Sequence, residues 1–257
     1  MTVTTSADDL VAALVAARRS HQPLASAAWA HTLADAHSAY AAQDAVAHAL
    51  AWFADAAPVY WKSGGPSRTA ALTHAPLPPA GVFASGVSLA AWPLHHRIIE
   101  GEIALRLATG VTPEHAAQLK HEDVDSLIEA MAVSIEVVDS RWREVGQAPA
   151  LLRLADQQSH GALVLGDWLP YAPRDWATQA CTASIGRHPV VQHTGTHTLG
   201  DPTWLLPTWL RHATRHGVMV PAGTVVTTGT WVGMLPAQPG DAVSIEFTGI
   251  GRAELHL

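Results

Sequence analysis

The chain is poor in cysteine and in charge. Its 257 residues include one cysteine, Cys181, which excludes an internal disulfide and suits a reducing compartment. Charged residues make up 14%, against about 25% in an average soluble protein. Ala-rich helices or subunit contacts are therefore expected to cover much of the surface, and a homo-oligomer is the expected state. Basic clusters are missing as well: no run of Lys and Arg exceeds Arg18-Arg19, and the formal charge is −7, so nucleic acid finds no electrostatic footprint. No stretch approaches the roughly 18 uninterrupted apolar residues of a membrane span. The opening MTVTTSADDL has neither the basic start nor the apolar core of an export leader, so the expected location is cytoplasmic, with no membrane partner. No G-x-G-x-x-G or Walker A pattern is present, which removes the usual nucleotide-binding readings. The sequence TASIG around Ser184 lacks the first glycine of a nucleophile elbow, which argues against a serine hydrolase.

What the chain does have is enough apolar material, 48%, to bury a sizeable core without staples. It divides near residue 57 into an N-terminal helical region, 1–57, and a larger region, 58–257. In the first, Ser6 supplies a helix N-cap ahead of acidic residues, and Leu10, Ala13, Leu14 and Ala17 recur on one helical face. A second helical stretch follows through LADAHSAYAAQDAVAHALAWFADA. Beyond Pro58, glycine, proline and β-branched residues become frequent. The segment of about 62–96 reads as a long loop of the kind that forms a lid or binding element. A strand is expected over about 97–108, a helix through HEDVDSLIEAMA, then strands at VSIEVVD, GALVLG, GTVVTTGTW and AVSIEFTGI.

Two carboxylates stand inside the apolar run IIEGEIAL. Residues alternate faces along a strand, so Glu100 and Glu102 point the same way while Ile99, Gly101, Ile103 and Leu105 face the other. Like charges at neighbouring positions need a cation or water nearby. Glu136, in the apolar strand SIEVVD 34 residues beyond Glu102, supplies a third. Three carboxylates on strand faces form a hard, oxygen-only site suited to Mg²⁺ or Mn²⁺, although a solvated sheet face shows the same alternation. His193 and His197, in HTGTH, have a spacing seen in zinc sites, but the intervening Thr and Gly argue against one helical face.

The stretches LADAHSAYAAQDAV, VYWKSGG, IIEGEIALRL, SIEVVDSRW, LADQQSHGALVLG and GTVVTTGTWVGMLPAQPGDAVSIEFTGIG, in that order, resemble the fumarylacetoacetate hydrolase superfamily, in particular its 2-keto-4-pentenoate hydratase branch. The resemblance implies an α+β fold, an N-terminal helical region followed by a mixed β-roll, and a divalent metal on Glu100, Glu102 and Glu136. It implies a 2-oxo acid chelated to that metal and hydrated through a stabilised enolate to a 4-hydroxy-2-oxo acid. Lys62 matches the family's active-site lysine, and Thr228, Gly229 and Thr230 match its substrate-holding turn. Asp139 and Arg141 are expected to orient the ligands, and Ser159 to contact substrate. One departure stands out. The hydratase branch carries an acidic residue in the segment after the lysine, yet residues 63–99 contain no Asp or Glu. His74 is the expected substitute, with His95 and His96 also available. Decarboxylation of a 2-oxo diacid, C–C hydrolysis of an acylpyruvate, and a non-catalytic binding protein remain open beside hydration.

Overall fold

The computed structural model describes residues 5–54 and 56–257. The first four residues, part of the stretch read above for an export leader, and Asp55 lie outside them. In chain order the elements are α1 (Ala7–Ser20), α2 (Ala36–Ala49), β1 (Tyr60–Gly64), β2 (Thr73–Pro76), β3 (Val82–Ala84), β4 (Val87–Ser88) and β5 (Ile98–Leu107). There follow α3 (Pro113–Gln118), β6 (Ile128–Val138), α4 (Ala150–Ala155), β7 (His160–Leu165), β8 (Leu169–Pro170), β9 (Ala180–Ile185) and β10 (Val191–Thr194). The chain ends with α5 (Leu206–Ala213), β11 (Val225–Thr227), β12 (Leu235–Pro236), β13 (Ala242–Phe247) and β14 (Gly251–His256). The class is α+β, a helical N-terminal region followed by a mixed β-roll.

Local chemistry fixes the helices as the sequence suggests. Ser6 and Asp9 form a reciprocal capping box at the start of α1: the Asp9 N–H donates to Ser6 Oγ at 3.1 Å and the Ser6 N–H to Asp9 Oδ2 at 3.0 Å. Asp35 caps α2 in the same manner, accepting from the Ser38 N–H at 2.8 Å. Leu10, Leu14, Ala39, Ala42 and Val46 close against Trp142, Leu152 and Leu154 to form a small apolar cluster. No helix of the described residues is long and apolar enough to cross a membrane.

The strands build two sheets. The larger runs β2-β1-β11-β5-β6-β7-β3, with β12 also on β5 and β8 on β6; the smaller runs β10-β9-β13-β14-β4. The β1–β11, β3–β7 and β4–β14 pairs are parallel and the rest antiparallel. The two sheets meet at Gly101, where an added Cβ would lie 2.8 Å from the Ile245 side chain. Glycine is therefore required between the two glutamates because β13 already fills that space.

Two expectations are corrected. The stretch HEDVDSLIEAMA is not a helix: a 3₁₀ turn, His121–Leu127, ends where β6 begins. Apart from Glu129, β6 is buried throughout, so its apolar run is continuous and carries no alternation to mark it as a strand. The segment 62–96 is not one loop either, since it contains the end of β1 and all of β2, β3 and β4.

Candidate active site

The site lies on the central strands of the larger sheet, beside the turn that follows α4. Glu100 on β5 pairs directly with Glu136 on β6, and Glu102 sits two residues further along the same face of β5, so all three carboxylates crowd together. One carboxylate oxygen from each lies within 4.8 Å of the others. Glu102 and Glu136 are buried and Glu100 nearly so. The spare oxygens are informative. Glu102 Oε2 accepts from the Thr227 hydroxyl and, at 2.9 Å, from the Gly229 N–H, which leaves Oε1 free of protein donors. Glu136 Oε1 accepts from Lys62 Nζ, while its buried Oε2 has no partner among the described residues. Among the described residues nothing donates to Glu100.

The charge balance follows from this crowding. Burial, then repulsion from Glu136 and Glu102, pushes the Glu100 carboxyl up to about 8. Burial and Glu136 push Glu102 up to about 7. For Glu136, burial is outweighed by the Lys62 ammonium and by His160, whose Nδ1 lies 3.6 Å away, so that carboxyl is held below its ordinary value. Burial opposes the charge on Lys62 too, but the three glutamates outweigh it and raise its pKa. Lys62 therefore enters the site as an ammonium.

A cleft of about 320 Å³ opens over these groups. Lys62 reaches it from β1 and also donates to the Gln158 carbonyl at 3.2 Å. Gln157, Gln158 and Ser159 all have left-handed backbone, φ 46°, 52° and 60°, a conformation that costs non-glycine residues about 1 kcal/mol or more each. What holds the turn is a buried ionic lattice: Asp156 Oδ1 accepts from Arg141 Nε at 2.7 Å and from Arg18 Nη2 at 2.9 Å, and Asp156 Oδ2 accepts from the Arg141 N–H at 2.9 Å. Arg18 also donates to the Gln157 side chain at 2.9 Å, and the Asp139 N–H to the Ser159 carbonyl at 2.8 Å.

Of the residues singled out from sequence, the structure brings together Glu100, Glu102, Glu136 and Lys62, with Ser159, Gly229 and Thr230 on the cleft wall. Gly229 takes φ 100°, and glycine there lets its N–H turn onto Glu102. Thr228 is fully buried and its hydroxyl donates to the Ile103 carbonyl at 2.7 Å, so it stands behind the cleft. Thr230 gives its hydroxyl proton to the Gly233 carbonyl at 2.9 Å. Asp139 and Arg141 lie beneath the strained turn, Asp139 also accepting from the His95 and His96 N–H groups at 3.0 and 2.7 Å.

His74 is a correction. Lys62 and Ser63 face opposite sides of β1, and His74 pairs with Ser63 across the ladder. His74 Nδ1 meets Ser63 Oγ at 2.8 Å, its ring packs on His212 with centroids 4.8 Å apart, and burial, with Arg215 nearby, pushes its pKa down to about 3. It is neutral and turned away from the cleft. His197 is likewise buried, with Nε2 2.8 Å from the Thr228 carbonyl. The cleft wall also includes Thr73, Arg153, Gln158 and Thr198, none of which the sequence marks. The run Asp156–Gln157–Gln158–Ser159 has no glycine or Pro-Gly signal to betray its conformation.

The chain matches the family model described as "Fumarylacetoacetate (FAA) hydrolase C-terminal" over residues 29–257. It is 28% identical over 160 residues to the 2-keto-4-pentenoate hydratase of Paraburkholderia xenovorans (strain LB400), covering 62% of this chain and 58% of that protein. A 4-oxalocrotonate decarboxylase of Pseudomonas sp is 28% identical over 162 residues, covering 61% and 59%. The aligned stretches thus span less than two thirds of these relatives. Among solved structures, the 4-oxalocrotonate decarboxylase from Pseudomonas putida G7, complexed with magnesium and adipate, superposes with a TM-score of 0.82 at 19% identity over 97% of each chain. The 2-hydroxyhepta-2,4-diene-1,7-dioate isomerase from Mycobacterium marinum gives a TM-score of 0.55 at 19% identity over 78% of this chain and 74% of that one. At that identity the likeness establishes the fold.

Proposed function

Because the chain belongs to the fumarylacetoacetate hydrolase family, we propose that it is a divalent-metal-dependent hydro-lyase acting on a 2-oxo acid in its dienol form, of the 2-hydroxypenta-2,4-dienoate kind, to give a 4-hydroxy-2-oxo acid. The observation that carries this reading is the convergence of Glu100, Glu102 and Glu136 at the floor of one cleft, with Glu136 behind the two that line it and its Oε2 buried and without a partner among the described residues. With all three ionised, three carboxylates against one ammonium leave an excess of two negative charges, which the raised pKa values of Glu100 and Glu102 reflect. That excess and the all-oxygen donor set fit Mg²⁺ or Mn²⁺, so these three residues are the ones that would hold the ion. Such an ion supplies Lewis-acid stabilisation to the enolate of a 2-oxo acid.

The chain's own groups supply the rest. The Lys62 ammonium, anchored by Glu136 and the Gln158 carbonyl, is a proton source at the cleft wall. A proton placed on C5 of the dienol moves the double bond into conjugation with the keto group, and water then adds at C4 with a proton going to C3. Thr227 and the Gly229 N–H bind one oxygen of Glu102 and orient its carboxylate. Ser159 Oγ donates to Ser140 Oγ at 3.4 Å and keeps acceptor capacity for a substrate hydroxyl or water.

The test is the ultraviolet absorbance of 2-hydroxypenta-2,4-dienoate with the protein and Mg²⁺ or Mn²⁺, before and after chelation. Metal-dependent loss of the dienol signal, with 4-hydroxy-2-oxopentanoate formed, is the expected result. An unchanged signal across several 2-oxo acids overturns the reading and leaves a binding protein. Decarboxylation of a 2-oxo diacid is the second reading. It is favoured by one observation: with His74 turned away, the cleft wall holds no carboxylate beyond Glu100 and Glu102 and no imidazole among the described residues. Release of CO₂ from such a diacid separates the two.

A further inference from the structure

Resting on that reading of the cleft, we propose that Arg153 is a specificity-determining residue that binds a second, distal carboxylate, so that the preferred substrate is a 2-oxo dicarboxylic acid rather than a monocarboxylic one. Lys62 and Arg153 are the only two cations among the described residues of the cleft wall, and they differ in how they are occupied. Lys62 is held by Glu136. Arg153 makes no ion pair with any described carboxylate; its sole hydrogen bond runs from Nε to the Ala148 carbonyl at 3.1 Å. Both arginines beneath the neighbouring turn, half-buried Arg18 and buried Arg141, are by contrast paired with Asp156.

The Nε contact matters because it fixes the guanidinium plane while leaving both Nη groups without acceptors among the described residues. A fixed, planar, doubly open fork is the geometry that takes a carboxylate through two parallel hydrogen bonds, which a lysine cannot reproduce. Arg153 is half-buried in the last turn of α4, the helix that leads into the strained turn over the glutamates. It hydrogen-bonds to the Ala148 carbonyl and to none of the glutamates among the described residues, so its guanidinium and the glutamate cluster are two separate groups on one cleft. A substrate bridging them needs an acidic group at each end. A carboxylate held by a guanidinium is also stabilised in its charged form, which favours chemistry that retains the distal carboxylate, such as hydration, over chemistry that expels it as CO₂.

The test compares 2-oxoadipate with 2-oxohexanoate, matched in length and differing in the distal carboxylate, by calorimetric binding to the Mg²⁺-loaded protein. Turnover of the dienol forms of 2-oxohept-4-enedioate and 2-oxohept-4-enoate is measured alongside. The wild type is expected to prefer the diacid roughly ten- to hundredfold in both, the range of one charge-assisted pair. Arg153→Met is expected to abolish the preference by weakening the diacid alone, with Mg²⁺ affinity and monoacid binding unchanged. Arg153→Lys is expected to restore part of it. Equal binding of the two acids by the wild type, or equal losses for both in Arg153→Met, overturns the inference while leaving the hydro-lyase reading intact. A preserved Arg153-dependent preference without turnover overturns the hydro-lyase reading alone, and binding of neither acid overturns both.

Discussion

Two buried acidic groups lie on either side of the turn at residues 157–159, and they are built differently. Beneath it, Asp139 and Asp156 face Arg18 and Arg141, two acids against two bases, and every Asp156 oxygen has a donor. Above it, Glu100, Glu102 and Glu136 share a single cation, Lys62, and one buried oxygen has no donor. The first group is balanced in charge, with Arg18 Nε its one buried atom left without a partner among the described residues, and it holds backbone in place. The second carries uncompensated charge that the fold alone does not relieve, and the pKa values of Glu100 and Glu102 rise accordingly. Burial of acids is common to both, so it is the missing counter-charge that separates a binding site from a brace.

Substitutions that remove one negative charge from each group should therefore act in opposite directions. Glu102→Gln is expected to have the largest effect, lowering Mg²⁺ affinity and turnover by more than the roughly 10- to 100-fold that an outer partner is worth. The same change should raise the melting temperature of the chelated protein at neutral pH, because it relieves repulsion. An active, metal-loaded variant would contradict the ligand assignment. Asp156→Asn, which leaves two guanidinium groups facing a neutral amide, is expected to cost about 3–5 kcal/mol in denaturant unfolding; a loss below about 1 kcal/mol would put the two groups on the same footing.

The smallest effect sharpens the contrast through pH. In the unfolded chain Glu100 and Glu102 ionise near 4.5; in the folded, metal-free chain they do so at about 8 and about 7. The folded state thus holds more protons across that window. The contribution of these two groups to stability is full below pH 4.5 and is lost as pH rises through 7 and 8. The chelated protein should melt lower at high pH, and saturating Mg²⁺ should flatten the curve. A pH-independent melting temperature in chelator would mean that the glutamates do not repel one another.

The glutamate cluster was legible because charged residues at alternate positions of an apolar strand are rare enough to stand out, and because Glu136 stands in a second apolar run; the register that joins Glu100 to Glu136 is set by strand pairing that the sequence alone does not specify. Ser6 and the α1 face were legible for local reasons as well. His74 was not, since the side it faces depends on which strand pairs with Ser63, and nothing within a few residues of either encodes that. The start of β6 escaped because burial on both sides erases periodicity. Arg153 and the turn at 157–159 escaped because left-handed backbone in Gln-Gln-Ser is imposed by Arg18, Arg141 and Asp156, which lie up to 139 positions away along the chain.

Gly101 ties the two sheets to the chemistry. With Ile245 lying 2.8 Å from where its Cβ would be, the residue between Glu100 and Glu102 has no slack towards the second sheet. The separation of the layers and the aim of both ligands are consequently one mechanical variable. Anything that pries the layers apart, a bulkier neighbour or the first stage of thermal loosening, would spoil ion affinity while most of the backbone was still in register. Ion release would then act as the earliest gauge of the fold giving way.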